Sequence, residues 1–220
     1  MRTKQFAVIG IGRFGESLIH ELRRMNHQVL AIDTDEDRFE NIAAVATHAV
    51  QADSTDEKTL RALDIQSFHS VIVAIGGDLE ASILTVLTLQ EIGVNKIIAK
   101  AQNEMHGKVL EKMGVDIVLY PERDMAIRLA RSLSASNIIE QIELSTEFGI
   151  TEFKAPKSFA GRSLAQLRLP NKLKITILAV KSGERIKVTP SADYVINEGD
   201  ILLAFGSNRF LEKLGNLIDG

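Results

Sequence analysis

The sequence contains no cysteine, which excludes disulfide bonds, thiolate catalysis and cysteine-bound metals. The longest apolar runs, such as residues 71–75 and 175–180, are far shorter than the ~20 residues that span a bilayer. There is no Lys/Arg-rich block, and the net charge of −3 gives no reason to expect a nucleic acid polymer as a partner. The first apolar run begins within a few residues of Met1, which leaves no room for a signal peptide. We therefore expect a cytoplasmic protein, and none of these absences prevents it from binding a membrane protein.

The first half of the chain alternates short apolar runs with helical patterns. The runs are rich in Val and Ile, which is typical of parallel strands that are covered on both faces. We predict strands over residues 5–9, 28–32, 48–51, 70–75, 96–100 and 116–119, with helices over residues 15–25, 37–46, 56–63, 79–92 and 105–113. Six strands joined by five crossovers indicate a doubly wound α/β Rossmann sheet that ends near Pro121.

The second half of the chain has a different rhythm. A predicted helix over residues 122–134 leads into the small, polar stretch 132–137, where we expect a hinge. The pattern beyond it predicts short strands over residues 138–144, 150–154, 174–181, 186–188 and 200–205, a hairpin turn at 182–184, and helices at 163–167 and 208–217. We therefore predict two domains, a Rossmann domain over residues 1–136 and a small α+β domain over residues 137–220.

A glycine-rich turn joins the first strand to the first helix. Gly10, Gly12 and Gly15 form a G-x-G-x-x-G motif inside a βαβ pattern about 30 residues long. In nucleotide-binding proteins these glycines allow a tight turn, a close approach of phosphate, and close packing of helix on strand. The motif therefore predicts a nucleotide phosphate at the helix N-terminus. The alternative is a tight turn that binds no ligand.

Two charged residues near this turn indicate which nucleotide binds. Asp33 ends the second strand, where a carboxylate accepts hydrogen bonds from ribose hydroxyls and repels a 2′-phosphate, so NADP is disfavoured. Its alternative role is to cap the next helix. Arg13 lies within the turn, where a guanidinium can contact further phosphate oxygens, and this favours ATP or ADP. The alternative for Arg13 is an exposed side chain paired with a neighbouring acid.

Further polar residues follow other strands and should lie along the same carboxyl edge of the sheet. Asp53 and Ser54 follow the third strand and the stretch Ile75, Gly76 and Gly77 ends the fourth, so these residues are candidate walls for adenine, or else ordinary turns. Lys100 and Glu122 follow the fifth and sixth strands, and a lysine there can neutralise phosphate. A lone glutamate beside phosphate is unfavourable unless a cation bridges them. The alternative is that both are surface charges.

Groups that catalysis would need are missing from the pattern. None of the five histidines lies at a strand's carboxyl end beside the expected nicotinamide position, so no acid–base pair for hydride transfer is visible. A G-x-x-x-x-G-K-[ST] loop for ATP hydrolysis is also absent. We therefore predict a nucleotide sensor that is not an enzyme. The alternative is an NAD(H)-binding redox sensor or a small NAD-dependent dehydrogenase module, which Asp33 supports.

Taken together, these motifs resemble the RCK (KTN) regulatory subunits of bacterial Ktr-type potassium uptake systems. The similar segments are residues 9–15 (IGIGRFG), 31–33 (AID), 52–54 (ADS), 73–76 (VAIG), 99–103 (AKAQN) and 120–124 (YPERD). Residues 198–206 resemble the family's C-terminal (TrkA-C) domain. The resemblance implies a homo-octameric ring built from dimers, which docks on the cytoplasmic face of a membrane potassium-transporting subunit and is controlled by competing ATP and ADP.

The resemblance also implies roles for individual residues. The family's nucleotide-binding positions correspond here to Gly10, Gly12, Arg13, Phe14, Gly15, Asp33, Asp53, Ser54, Ile75, Gly76, Gly77, Lys100 and Glu122. Glu122 would hold Mg²⁺ or Ca²⁺ between the γ-phosphates of paired subunits. In some bacteria the family's C-terminal domains bind cyclic di-AMP at their dimer interface, and residues 164–177 with Pro190 are the corresponding region here.

Overall fold

The computed structural model describes residues 3–134 and 137–216. The chain divides into two compact units, Met1–Glu122 and Arg123–Gly220. The predicted hinge at residues 132–137 includes residues 135 and 136, which lie outside the described part of the chain. The border at residue 136 therefore stays a prediction. Across the described residues, no helix combines the length and apolar character that crossing a bilayer requires.

The first unit is built on a six-stranded parallel sheet. Its strands are β1 (Gln5–Ile9), β2 (Gln28–Asp33), β3 (His48–Gln51), β4 (Ser70–Val73), β5 (Ile97–Lys100) and β6 (Ile117–Leu119). Their order across the sheet is β3-β2-β1-β4-β5-β6, with every pair parallel, which confirms the doubly wound Rossmann prediction. Strand β4 ends two residues earlier than predicted because β1, its partner, already turns away at Gly10.

The central strands are buried on both faces, as their continuous apolar sequence predicts. Ala7 and Ile9 of β1 belong to the hydrophobic cluster on one face, whereas Val8 belongs to the cluster on the other. All three side chains are almost fully buried. Because these side chains fill the two cores, ligand-binding groups are expected at the strand ends and in the loops.

Six helices connect and follow these strands. They are α1 (Arg13–Arg24), α2 (Glu36–Ala43), α3 (Glu57–Ala62), α4 (Leu79–Ile92), α5 (Glu104–Lys112) and α6 (Pro121–Ser134), and a short 3₁₀ turn lies at Ile65–Ser67. Helices α2 to α5 each begin after a residue whose side chain accepts a backbone N–H hydrogen bond from the first turn; these residues are Asp35, Asp56, Asp78 and Asn103. The predicted helices of this half are confirmed, with ends shifted by a few residues.

The second unit contains a five-stranded antiparallel sheet. Its strands are β7 (Ile138–Glu143), β8 (Phe148–Lys154), β9 (Ile175–Ser182), β10 (Arg185–Val188) and β11 (Ile201–Ser207), in the order β10-β9-β11-β8-β7. The predicted hairpin turn is confirmed, because Ser182 pairs with Arg185 and Gly183 has a φ of +58°. This unit is the small α+β fold that the sequence predicts.

Three helices and a 3₁₀ turn complete the second unit. They are α7 (Leu164–Leu167), α8 (Leu169–Leu173), α9 (Asn208–Asn216) and a 3₁₀ turn at Lys157–Phe159. Helix α8 was not predicted, and its proline is tolerated because it lies in the first turn, where no intrahelical N–H bond is lost. The core of the unit contains fully buried Phe153, Ile175 and Leu202.

Candidate functional site

A cleft of about 820 Å³ opens at the carboxyl edge of the parallel sheet. It lies beside the ends of β1 and β4, where the strand order changes direction and where ligands of this fold class bind. All the predicted site residues except Gly15 line it, namely Gly10, Gly12, Arg13, Phe14, Asp33, Asp53, Ser54, Ile75, Gly76, Gly77, Lys100 and Glu122. The fold therefore brings together residues that are separated by more than 100 positions in the sequence.

The three glycines of the turn are needed for different reasons. Gly10 has a φ of +94°, and a Cβ added there would lie 2.8 Å from the backbone nitrogen of Ile75. A Cβ on Gly15 would lie 2.0 Å from the carbonyl oxygen of Gly10. A Cβ on Gly12 would meet no described atom within 4 Å. Gly10 and Gly15 are thus required by the chain itself, whereas the open space at Gly12 leaves room for a ligand.

The N-terminus of α1 differs from those of α2 to α5. Its N-cap residue is Gly12, and within the described residues no side chain caps it. The first backbone N–H groups of a helix lack intrahelical acceptors and carry a partial positive charge. In α2 to α5 an Asp or Asn side chain accepts one of these hydrogen bonds. Helix α1 instead presents its N–H groups at the cleft, which is the arrangement that binds anions.

Asp33 fixes the glycine turn to β2. Its carboxylate, 8% exposed, accepts hydrogen bonds from the backbone N–H groups of Ile11 at 2.5 Å and Asp35 at 3.0 Å. The N-cap of α2 is Asp35, so the alternative in which Asp33 caps this helix is wrong. Asp33 still lines the cleft, and a carboxylate has capacity for further hydrogen bonds from a ribose.

The loop after β3 is held by its own side chains and by α4. One carboxylate oxygen of Asp53 accepts hydrogen bonds from the backbone N–H of Thr55 at 2.9 Å and from its hydroxyl at 2.7 Å. The hydroxyl of Ser54 is buried against that of Thr85, with 2.7 Å between the oxygens. The Ser54 hydroxyl is therefore engaged within the protein, and this loop contributes to the cleft mainly as a preformed wall.

Lys100 and Glu122 form an ion pair at the opposite side of the glycine turn. The Lys100 ammonium lies 2.6 Å from Oε1 of Glu122, although 22 residues separate them in the sequence. The hydrogen bond from Lys100 is the main cause that lowers the pKa of Glu122, and the positive charge of Arg13 lowers it further. Glu122 is thus held as a carboxylate, with its side chain 66% exposed. No group of three or more acidic, His or Cys ligands occurs within the described residues, so a cation here would need phosphate oxygens as further ligands.

Arg38 is the basic residue of this cleft that was not predicted from the sequence. It lies in the first turn of α2, and Nη1 of its guanidinium is 3.6 Å from Oδ2 of Asp33. A basic residue in the first helical turn is unfavourable against the helix dipole, which favours Asp and Glu there. That mismatch, five residues after Asp33, was the sequence signal that could have identified it.

The second unit has a broad, open basic surface of its own. Arg162, Arg168 and Lys172 line it together with Gly161, Ala165 and Gln166, around a volume of about 680 Å³. Four of these six residues fall within the region 164–177 predicted from the resemblance. Arg162 lies outside that region, and Pro190 does not line this surface. A positively charged surface that is this open suits an anion that a second molecule covers on its other side.

Two family models match two separate parts of the chain. The TrkA-N domain model matches residues 6–121, which include every strand of the parallel sheet and most of the cleft. The TrkA-C domain model matches residues 150–219 in the second unit. The first match lies within the first unit and the second match within the second unit, and residues 122–149 fall outside both models.

Two named proteins are similar in sequence to this chain over nearly its whole length. The chain is 43% identical over 98% of its length to Ktr system potassium uptake protein A of Bacillus subtilis, covering 97% of that protein. It is 46% identical over 93% of its length to Ktr system potassium uptake protein C of the same organism, covering 92% of it. The solved GsuK channel bound to NAD shares the fold, with a TM-score of 0.69 and 20% identity over the full chain, which spans 40% of that channel chain. The chain therefore belongs to the RCK (KTN) family of Ktr-type potassium uptake regulatory proteins, with a TrkA-N domain followed by a TrkA-C domain.

Proposed function

We propose that this chain is a cytoplasmic regulatory subunit that binds ATP and ADP and gates a membrane potassium transporter. The observation that carries the nucleotide part is the uncapped N-terminus of α1, which faces the cleft with Arg13 in its first turn. Backbone N–H groups, the helix dipole and a guanidinium together favour a polyphosphate. The transporter part is supported by the two B. subtilis relatives, which are named as potassium uptake proteins.

The preference between ATP and ADP arises at the end of the phosphate chain. The third phosphate of ATP would contact Arg13, and it would share a Mg²⁺ or Ca²⁺ ion with Glu122. One carboxylate plus phosphate oxygens suits Mg²⁺, and the lowered pKa of Glu122 keeps this carboxylate ionised. ADP lacks these contacts. A ligand that binds one ring geometry more tightly than another shifts the population towards it, so ATP and ADP would favour different states of the transporter.

NAD(H) is the alternative ligand, and Asp33 is the observation that favours it. The carboxylate lies at the end of β2 in the cleft, where Rossmann proteins bind ribose hydroxyls. A role as a redox sensor or small dehydrogenase would follow. Among the described residues that line the cleft none is a histidine, which argues against hydride transfer and supports a regulator that is not an enzyme.

We propose that the protein works as a homo-octameric ring of dimers docked on the cytoplasmic side of its transporter. Helix α4 supports assembly, because Leu79, Leu84 and Leu87 are each more than 40% exposed on a helix whose inner side is already buried in the core. A helix that is apolar on several sides needs cover from another surface. A second copy of the chain would supply that cover.

Cyclic di-AMP is a proposed second ligand, bound to the TrkA-C domain. The basic surface formed by Arg162, Arg168 and Lys172 supports this proposal, because it offers several cations to two phosphates. This basic surface is open, which fits a ligand that binds between two copies of the chain.

A thermal-shift panel of ATP, ADP, NADH and cyclic di-AMP, with and without Mg²⁺, distinguishes these ligands by how much each one raises the melting temperature.

The sharpest test of the ATP proposal is the substitution Arg13→Ala. Calorimetric titration should show that the ratio of ATP affinity to ADP affinity falls by about tenfold, since a charge-assisted hydrogen bond contributes about 1.5–3 kcal/mol. Arg61→Ala is the matched control, because Arg61 is half-exposed on α3, pairs with Glu57 and does not line the cleft. An unchanged ratio in the Arg13 variant, or a larger melting shift with NADH than with ATP, would refute the ATP assignment.

A further inference from the structure

Arg38 sits beside the carboxylate that is expected to bind ribose. Its Nη1 atom is 3.6 Å from Oδ2 of Asp33, and its Nε atom is 3.6 Å from Oδ2 of Asp35. Both distances are longer than a hydrogen bond, so these ion pairs hold the guanidinium loosely. The side chain is 53% exposed and lines the cleft. The guanidinium is therefore near Asp33 and accessible to a ligand.

The position of Arg38 is otherwise unfavourable. It occupies the third position of α2, where the helix dipole opposes a positive charge. Its side chain pairs with the two aspartates, and its backbone N–H donates a hydrogen bond to Asp35 Oδ1 at 3.1 Å. The two carboxylates offset the unfavourable helix dipole and keep the cation near Asp33 without fixing it.

The charge of Arg38 changes the prediction that Asp33 excludes a 2′-phosphate. Asp33 alone would repel such a group, but two of its hydrogen bonds go to backbone N–H groups and a guanidinium lies beside Oδ2. An arginine close to the ribose acid is how this fold accommodates a 2′-phosphate. A guanidinium can also form two parallel hydrogen bonds to a phosphate group.

We propose that Arg38 is a specificity-determining residue of the ribose subsite and that it lets the cleft accept adenine nucleotides that carry a 2′-phosphate. This inference rests on the proposed nucleotide-binding function. Arg38 would leave its loose contacts with Asp33 and Asp35 and contact the 2′-phosphate, while Asp33 keeps its backbone partners and contacts the 3′-hydroxyl. Nucleotides without the group would bind without this contact.

The test compares three probes by calorimetric titration: AMP, adenosine 2′,5′-bisphosphate and its isomer adenosine 3′,5′-bisphosphate, which has the same charge. We expect the native chain to bind the 2′,5′ compound no more than about tenfold more weakly than AMP. In Arg38→Ala, the affinity for the 2′,5′ compound should fall at least tenfold more than the affinities for AMP and the 3′,5′ isomer. Arg38→Gln, which keeps most of the side chain, should give the same selective loss, and Arg61→Ala should give none.

Three outcomes would overturn the proposal. One is an Arg38 variant that loses affinity for all three probes equally, or for none of them. Another is a native chain that binds the 2′,5′ compound more than about tenfold more weakly than AMP. In both cases the proposed function stands if ATP binds. If the native chain binds neither AMP nor ATP, the proposed function and the role of Arg38 fail together.

Discussion

The two units of the chain use their sheets in different ways. In the first unit the central parallel strands are buried on both faces, and the cleft is lined by strand ends and by the loops that follow them. In the second unit the strands alternate along their length, as in β8 and β11, where every second residue is buried. This difference follows from parallel and antiparallel sheet construction. In the first unit a residue's place along the strand separates the core from the cleft, whereas in the second unit the face of the strand separates the core from the more exposed surface.

Substitutions at the glycine turn give the largest expected effect and test the rule for the first unit. Gly15→Ala places a Cβ 2.0 Å from the Gly10 carbonyl oxygen, so backbone must move, and we expect a loss of more than about 3 kcal/mol in unfolding free energy. Gly12→Ala has open space, so it should keep the native melting temperature and still weaken ATP binding about tenfold or more. Urea denaturation and calorimetric titration measure the two effects. If both substitutions lower the unfolding free energy equally, Gly12 is also required by the fold and the distinction between the two glycines is wrong.

Removal of a core aromatic ring tests the rule for the second unit. Phe153 is fully buried on the inner face of β8, so Phe153→Ala should cost about 3–5 kcal/mol in the unfolding free energy of this unit. Ile186 on β10 is 65% exposed, and Ile186→Ala is the matched control, with an expected change below about 0.5 kcal/mol. Urea denaturation followed by circular dichroism measures both. We expect ATP affinity to stay unchanged in both variants, and a lost affinity in Phe153→Ala would show that the units are not separable.

The smallest expected effect concerns His106, a buried histidine of the first unit. Unlike the polar residues that follow other strands, it does not line the cleft. His106 follows β5, and its Nδ1 accepts a hydrogen bond from the backbone N–H of Gln102 at 3.3 Å. Burial lowers its pKa below the ordinary value of 6.5. The unfolded chain therefore binds the proton more readily, so the unfolding free energy should be constant above pH 6.5 and fall as the pH drops below it.

Urea denaturation between pH 7.5 and pH 5.5 measures this dependence. His106→Gln should flatten the part of the pH profile that comes from this residue. If the native chain and the His106→Gln variant show the same slope against pH, the pKa of His106 does not change on folding and the prediction is wrong.

Much of the first unit could be predicted because its signals are local. Apolar runs located all six strands, and the glycine turn identified the cleft. The Lys100–Glu122 ion pair could not be predicted, because the sequence shows two separate charges 22 residues apart and the sheet order brings them to 2.6 Å. The hydrogen bond between Asp33 and the glycine turn was missed for the same reason, since its partner Ile11 lies on a different strand-to-helix turn.

The short helix α8 and the residue Arg38 show a second limit. Helix α8 has five residues, which is too short for a hydrophobic period to appear in the sequence. Arg38 looks like one more surface charge of an acidic helix start until its distance to Asp33 is known. A side chain's neighbours depend on how the loops fold, and loop conformation leaves little trace in local sequence pattern.

By itself the sequence determined the doubly wound sheet and the glycine turn, because buried strands and tight turns restrict residue type at each position along the chain. Only the tertiary structure decided which charges share the cleft, that α1 alone among α1 to α5 leaves its N-terminus without a side-chain cap in the described residues, and that the Arg38 guanidinium lies beside Asp33. The interaction between two charges depends on the distance between them in space. The helical connections between strands place residues side by side that lie far apart in the sequence, so the sequence separation does not give this distance.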